Sequence, residues 1–216
     1  MDPDHLQIDS CPALRVRTHL YQLNSEKFQW GTHGTSITDL ADEMFKKVSG
    51  VETWYQFNQC QFQTSAFNDD HMYIINSTTN MQNSSTSQIL KNVMNQHQPP
   101  AFHTNCHAGY GYGFVAPKLL VFNIPNHCGI LDREIPIRGI NGRNTILRLK
   151  GIIYHGNFHF ISCIITNDSK IWLHDGMTTG GNAMIEGNMR NITGSYVAYL
   201  TQCKGKVVAL AIYAQN

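Results

Sequence analysis

The chain has 216 residues, with 16 Lys+Arg against 15 Asp+Glu and a formal net charge of +1. So even a balance removes the electrostatic drive for binding nucleic acid or a membrane surface, because no surplus of cations exists to displace counterions from phosphates. Hydrophobic residues make up 42% and charged residues 14%, which excludes a charged disordered chain; at this length one core buries about 70% of the surface of the unfolded chain without disulfide staples.

In chain order, Leu14, Val16, Leu20, Tyr21 and Leu23 give an apolar helical face behind Pro12, a residue tolerated in a first turn. A second helix is capped by Ser36 or Thr38: Ile37, Leu40, Ala41, Met44, Phe45 and Val48 recur at helical spacing, and Gly50 ends it. Residues 51–57 and 71–75 are short aromatic and β-branched runs, predicted as strands with long polar connections. The Asn-, Ser- and Thr-rich stretch 76–87 reads as a loop before a helix over 87–96. Gly109-Tyr110-Gly111-Tyr112-Gly113 has the glycine spacing of a phosphate loop but no following Lys-Ser or Lys-Thr, so it reads as a flexible aromatic loop. After Pro117 come predicted strands at 118–124, 145–154, 158–166, 170–173 and 206–214, with turn pairs such as Asn141-Gly142, Gly156-Asn157 and Lys204-Gly205 between them. Early helices and a late antiparallel sheet predict an α+β domain.

Six cysteines, Cys11, Cys60, Cys106, Cys128, Cys163 and Cys203, are widely spaced. The first nine residues include Asp2, Asp4 and Asp9 rather than an apolar run, so the expectation is an intracellular protein with reduced thiols. No stretch approaches the roughly 18 apolar residues that span a bilayer.

The segment Tyr154-His155-Gly156-Asn157-Phe158-His159-Phe160 reads as a tight hairpin, and Trp172-Leu173-His174-Asp175-Gly176 lies on the strand after the next turn. Two successive hairpins can place His159 beside Asp175. A carboxylate on one ring nitrogen fixes the imidazole tautomer and leaves the other nitrogen free to take a proton from a thiol or hydroxyl. The alternative is purely structural: a hairpin histidine under aromatic neighbours and an aspartate ending a strand before glycine.

The order of segments adds a resemblance. Pro117-Lys118-Leu119-Leu120-Val121-Phe122, Ile135-Pro136-Ile137, Leu147 to Gly156, Phe158-His159-Phe160, Ile171-Trp172-Leu173-His174-Asp175-Gly176 and Val208 to Tyr213 together resemble the C-terminal half of a ubiquitin-specific protease catalytic domain. In that family Gly precedes the histidine; here Phe158 stands in that position. Upstream, Gly34 to Phe45 is similar to the family's substrate-proximal helix. The resemblance implies a papain-like α+β fold in a single incomplete domain over 1–216. Its parts would be a helical thumb-like remnant (12–50), a finger-like insertion (51–116) and an antiparallel palm sheet (117–216).

The resemblance further implies a cysteine peptidase acting on isopeptide bonds of ubiquitin or a ubiquitin-like protein, with His159 as general base and Asp175 as its orienting partner. No cofactor is required for that chemistry. The family's cysteine box has no counterpart ahead of the Ser36 helix, where Cys11 is the only thiol. Cys11 precedes Pro12 and a helix start, but Asp9 beside it opposes thiolate formation. The alternative is therefore an inactive module that binds ubiquitin or a relative without cleaving it. In the finger-like part, Cys60, His103 and Cys106 fall where the family carries zinc ligands; Gln63 replaces the fourth, and His71 or His107 would have to complete a tetrahedral site. The other reading of that region is a zinc-free finger.

Overall fold

The computed structural model describes residues 12–30, 35–45, 52–57, 74–76, 84–96, 110–115, 117–124, 130–138, 144–179, 182–194 and 198–216. The chain divides into two compact units, Met1–Phe45 and Lys46–Asn216.

Within the first unit, α1 spans Pro12–Leu23 and α2 Ile37–Phe45. Of the two caps the sequence offered, Ser36 is the one in place: its Oγ accepts from the Asp39 N–H at 3.4 Å and its carbonyl from Leu40. Asp39 in the first turn favours the positive helix end. After α1, Asn24 turns the chain by accepting the N–H groups of Glu26 and Lys27. Phe28 is buried, while Trp30 stacks on Tyr21 with Arg17 over its ring.

The second unit is built on a sheet whose main path runs β2 (Ile74–Asn76), β4 (Leu119–Asn123), β11 (Lys206–Ala214), β6 (Asn144–Gly156), β7 (His159–Ile165), β8 (Lys170–His174) and β9 (Met184–Asn188). The strands β5 (Glu134–Arg138) and β10 (Gln202–Cys203) pair with β6 and β11 beside this path. A separate two-stranded sheet joins β1 (Glu52–Phe57) to β3 (Tyr110–Val115). The helix α3 (Thr86–Gln96) buries Ile89 and Leu90 in the same core as the sheet residues Leu120, Phe122, Leu147, Ile152, Tyr154, Leu173 and Tyr213. Each such aliphatic or aromatic side chain contributes about 1.5–3 kcal/mol when fully buried. On β6 the buried positions run Leu147, Leu149, then Ile152 and Tyr154. That change of parity coincides with register shifts between β6 and β11, which insert an extra residue and keep the apolar side chains on one face.

The strands after residue 117 pair antiparallel, as expected, and β2, from outside that range, adds a parallel strand that makes the whole sheet mixed. One expectation changes. Residues 110–115 are a strand, not a flexible loop: the sequence alternates aromatic residues with glycines, and the backbone pairs with β1 from Glu52↔Val115 to Phe57↔Tyr110. Residues 74–76 and α3 contribute to the main sheet and its core. None of the described helices is long and apolar enough to cross a membrane.

Candidate functional site

The hairpin β6–β7 and the strand β8 assemble the site. Gly156 pairs with His159 across the hairpin, and Ser162 pairs with His174 on β8. By the two-residue period, His159 shares the core-facing side of β7 with Ile161 and Cys163, and Asp175 shares that of β8 with Ile171 and Leu173. Both side chains therefore emerge on one face at one end of the sheet, where His159 Nε2 and Asp175 Oδ1 lie 2.7 Å apart.

Asp175 is 5% exposed and His159 is partly buried. The loop after β8 holds the carboxylate in place. Its Oδ1 also accepts the Met177 N–H at 3.1 Å, and the Thr179 hydroxyl donates to the Asp175 carbonyl at 2.9 Å while accepting the Asp175 N–H at 3.1 Å. The hydrogen bond from His159 is the largest influence on the carboxyl, which with help from the Thr178 hydroxyl and the Met177 N–H is held at about 2, against the opposing effect of burial. A carboxyl with that pKa is ionised at neutral pH and has no proton to give, so Nε2 must be the donor. In neutral His159 the lone pair then sits on Nδ1, which has no hydrogen-bond partner among the described residues. The arrangement is a base with one nitrogen fixed and the other available for a proton.

Two thiols are described. Cys163 is buried, with its pKa raised to about 12 chiefly by burial; Cys203 is half-buried and raised by burial and by Glu186, with a smaller effect from Asp175. Both environments favour the protonated thiol, the reverse of what activates a nucleophile. Cys11, the thiol that sequence offered as nucleophile, lies outside the described residues, as do Cys60, His103 and Cys106 of the zinc expectation together with Gln63, His71 and His107. Among the described residues no cluster of three His, Cys, Asp or Glu side chains could hold a metal ion.

Sequence reasoning located His159 and Asp175 but not Met177, Thr178 and Thr179, which fix the carboxylate. The signal for these lay in the Thr178-Thr179 pair after Gly176, hydroxyl residues that bond back to a turn. It also passed over the conformation of the hairpin tip, where Asn157 and Phe158 both have positive φ, 53° and 57°. Behind the tip, His155 stacks on Phe160 with ring centroids 4.4 Å apart.

No family model and no curated protein matches the sequence. Solved structures do match. The chain is similar to a chain of the SAGA DUB module Ubp8/Sgf11/Sus1/Sgf73 bound to monoubiquitin, with a TM-score of 0.54, 9% identity, and coverage of 94% of this chain and 53% of that one. It is equally similar to the Ubp8/Sgf11/Sus1/Sgf73 DUB module bound to ubiquitin aldehyde, with a TM-score of 0.54, 10% identity, and coverage of 94% and 54%. The chain thus spans about half the length of the chains it matches. At this identity the likeness is one of fold: a mixed sheet with few helices that coarsely resembles the ubiquitin-specific protease of that module.

Proposed function

We propose that the chain is a deubiquitinase-like domain that binds ubiquitin or a ubiquitin-like protein and brings the isopeptide end of its tail to His159. The observation that carries this reading is the 2.7 Å contact between His159 Nε2 and the ionised Asp175, with the fold likeness to structures bound to monoubiquitin and ubiquitin aldehyde as support. In the reaction, Nδ1 of His159 takes the proton of a cysteine thiol, and the thiolate attacks the carbonyl carbon of the isopeptide bond. The proton then passes from Nδ1 to the departing lysine amine, leaving a thioester. A water molecule gives its proton to Nδ1 as it attacks that thioester, and the thiol is re-formed when the acid departs. Asp175 holds the ring and stabilises the imidazolium without itself taking up a proton. The nucleophile is a thiol other than Cys163 and Cys203, with Cys11 the one carried forward from the sequence.

The second reading, a module that binds without cleaving, is favoured by one observation: of the two described thiols Cys163 is buried and Cys203 half-buried, and burial raises the pKa of both. Ubiquitin carrying a C-terminal electrophile separates the two. The enzyme reading expects a covalent adduct at a single cysteine, lost in Cys11→Ala if Cys11 is the nucleophile and slowed in His159→Ala. Binding without any adduct leaves the second reading, and the absence of binding removes both.

A further inference from the structure

We infer that Phe158 is the anchor by which the hairpin beside His159 grips an uncharged aliphatic patch on the folded body of the ubiquitin-like partner; the inference rests on the function proposed above. Phe158 and Asn157 form the two-residue turn between β6 and β7, with φ of 57° and 53°. Such a turn requires positive φ at both central positions, which Gly and Asn adopt readily and a bulky aromatic residue does not. Phe158 therefore carries backbone strain. It recovers none of this by burial, since the side chain is fully exposed at 102% of its reference area. A residue that strains the backbone and adds nothing to the core is accounted for by a contact outside the fold, and strain of this kind clusters at binding and catalytic sites.

Position and chemistry identify the contact. The very next residue is His159, bonded to Asp175, and Phe160 is 37% exposed with the His155 ring against it. The tip thus projects one aromatic ring, and the His155–Phe160 ring pair sits on the next pair of strand positions, on the face opposite His159. From Gly151 to Ser162 the sequence contains no Asp, Glu, Lys or Arg; Lys206 of β11 lies beside Gly156, but the tip itself is uncharged and suits an aliphatic patch. Exposed aromatic side chains at the centre of such surfaces carry a disproportionate share of binding energy.

The test is ubiquitin binding by calorimetry, with thermal unfolding measured in parallel, for the whole chain and for Phe158→Gly and Phe158→Trp. Glycine removes the ring and relieves the strain, so Phe158→Gly is expected to weaken ubiquitin binding by at least about 10-fold while Tm is unchanged or rises by about 2 °C. Phe158→Trp is expected to bind within about 3-fold of the parent chain, because the aromatic contact is kept. Unchanged affinity in Phe158→Gly overturns the inference and leaves the proposed function standing. A fall in Tm that accompanies the loss of binding overturns it in favour of a structural role. Loss of self-association with ubiquitin affinity intact overturns it in favour of a second copy of the chain. Failure of the parent chain to bind ubiquitin takes down the proposed function and this inference with it.

Discussion

Thr86 and Tyr213, 127 positions apart in sequence, meet inside the core with their side-chain oxygens 2.9 Å apart. The Tyr213 hydroxyl donates to the Asp132 carbonyl at 2.7 Å, and Asp132 Oδ2 accepts from the Thr86 hydroxyl and from the Ser87 N–H at the start of α3. The last strand of the sheet, the segment before β5 and the first turn of α3 are thus tied at one buried point, where burial also raises the Tyr213 phenol pKa. Removing one hydroxyl here strands buried acceptors without water to replace it. Tyr213→Phe is expected to lower stability by about 1–3 kcal/mol, read as a lower urea midpoint with an unchanged slope.

How much of this was legible in the sequence depends on whether a feature is local. The helix Pro12–Leu23, the strands β4, β6, β7, β8 and β11 and the hairpin holding His159 follow from apolar periodicity and turn residues, which act over a few positions. The contact of His159 with Asp175 was legible because a single hairpin turn, between β7 and β8, separates them. The tie between Thr86, Asp132 and Tyr213 was not, since nothing local marks a threonine, an aspartate and a tyrosine as partners 127 positions apart. Strand β9 was missed because Met184-Ile185-Glu186-Gly187-Asn188 contains Gly and Asn and is largely exposed; it is a strand through its pairing with β8, a tertiary cause. Strand β3 was missed because its glycines signal a turn until β1 is placed opposite.

Acid titration reports on Asp175. Its folded-state pKa of about 2 lies below the ordinary value of 3.8, so folding favours the charged form. The stabilisation is present above the unfolded value and is lost as pH falls from 3.8 toward about 2. The stability difference between the parent chain and Asp175→Asn is therefore expected to shrink as pH falls below about 4. Asp168, also held at about 2 by Thr166 and Lys170, is common to both chains and cancels. Urea unfolding at several pH values measures this, and a difference that does not change between pH 2 and 5 contradicts the assigned direction.

Thr179 acts on the site through Asp175. Its hydroxyl closes both the N–H and the carbonyl of that residue, so Thr179→Val keeps the shape and removes both bonds. The expected cost in stability is modest, about 1 kcal/mol. The larger expectation is functional: a several-fold slower reaction with the ubiquitin electrophile, recovered in Thr179→Ser, which restores the hydroxyl. Equal rates in Thr179→Val and the parent chain would mean that the loop does not position the carboxylate.

Cys163 provides the sharpest chemical contrast with a nucleophile. Burial, the Cys203 thiol and Glu186 raise its pKa from 9.0 to about 12, and the Tyr154 hydroxyl opposes them only in part. At a pH below both values that leaves about 1000-fold fewer thiolates than at an ordinary thiol, in addition to the steric block of the core. Iodoacetamide in native buffer is expected to leave Cys163 unmodified over the time that fully alkylates free cysteine, and to modify it in urea, as read by peptide mass mapping. Rapid native labelling of Cys163 would mean that this face of β7 opens to solvent. It would also remove the ground for excluding this thiol, four residues along the strand from His159 and on its side of the sheet, as the nucleophile.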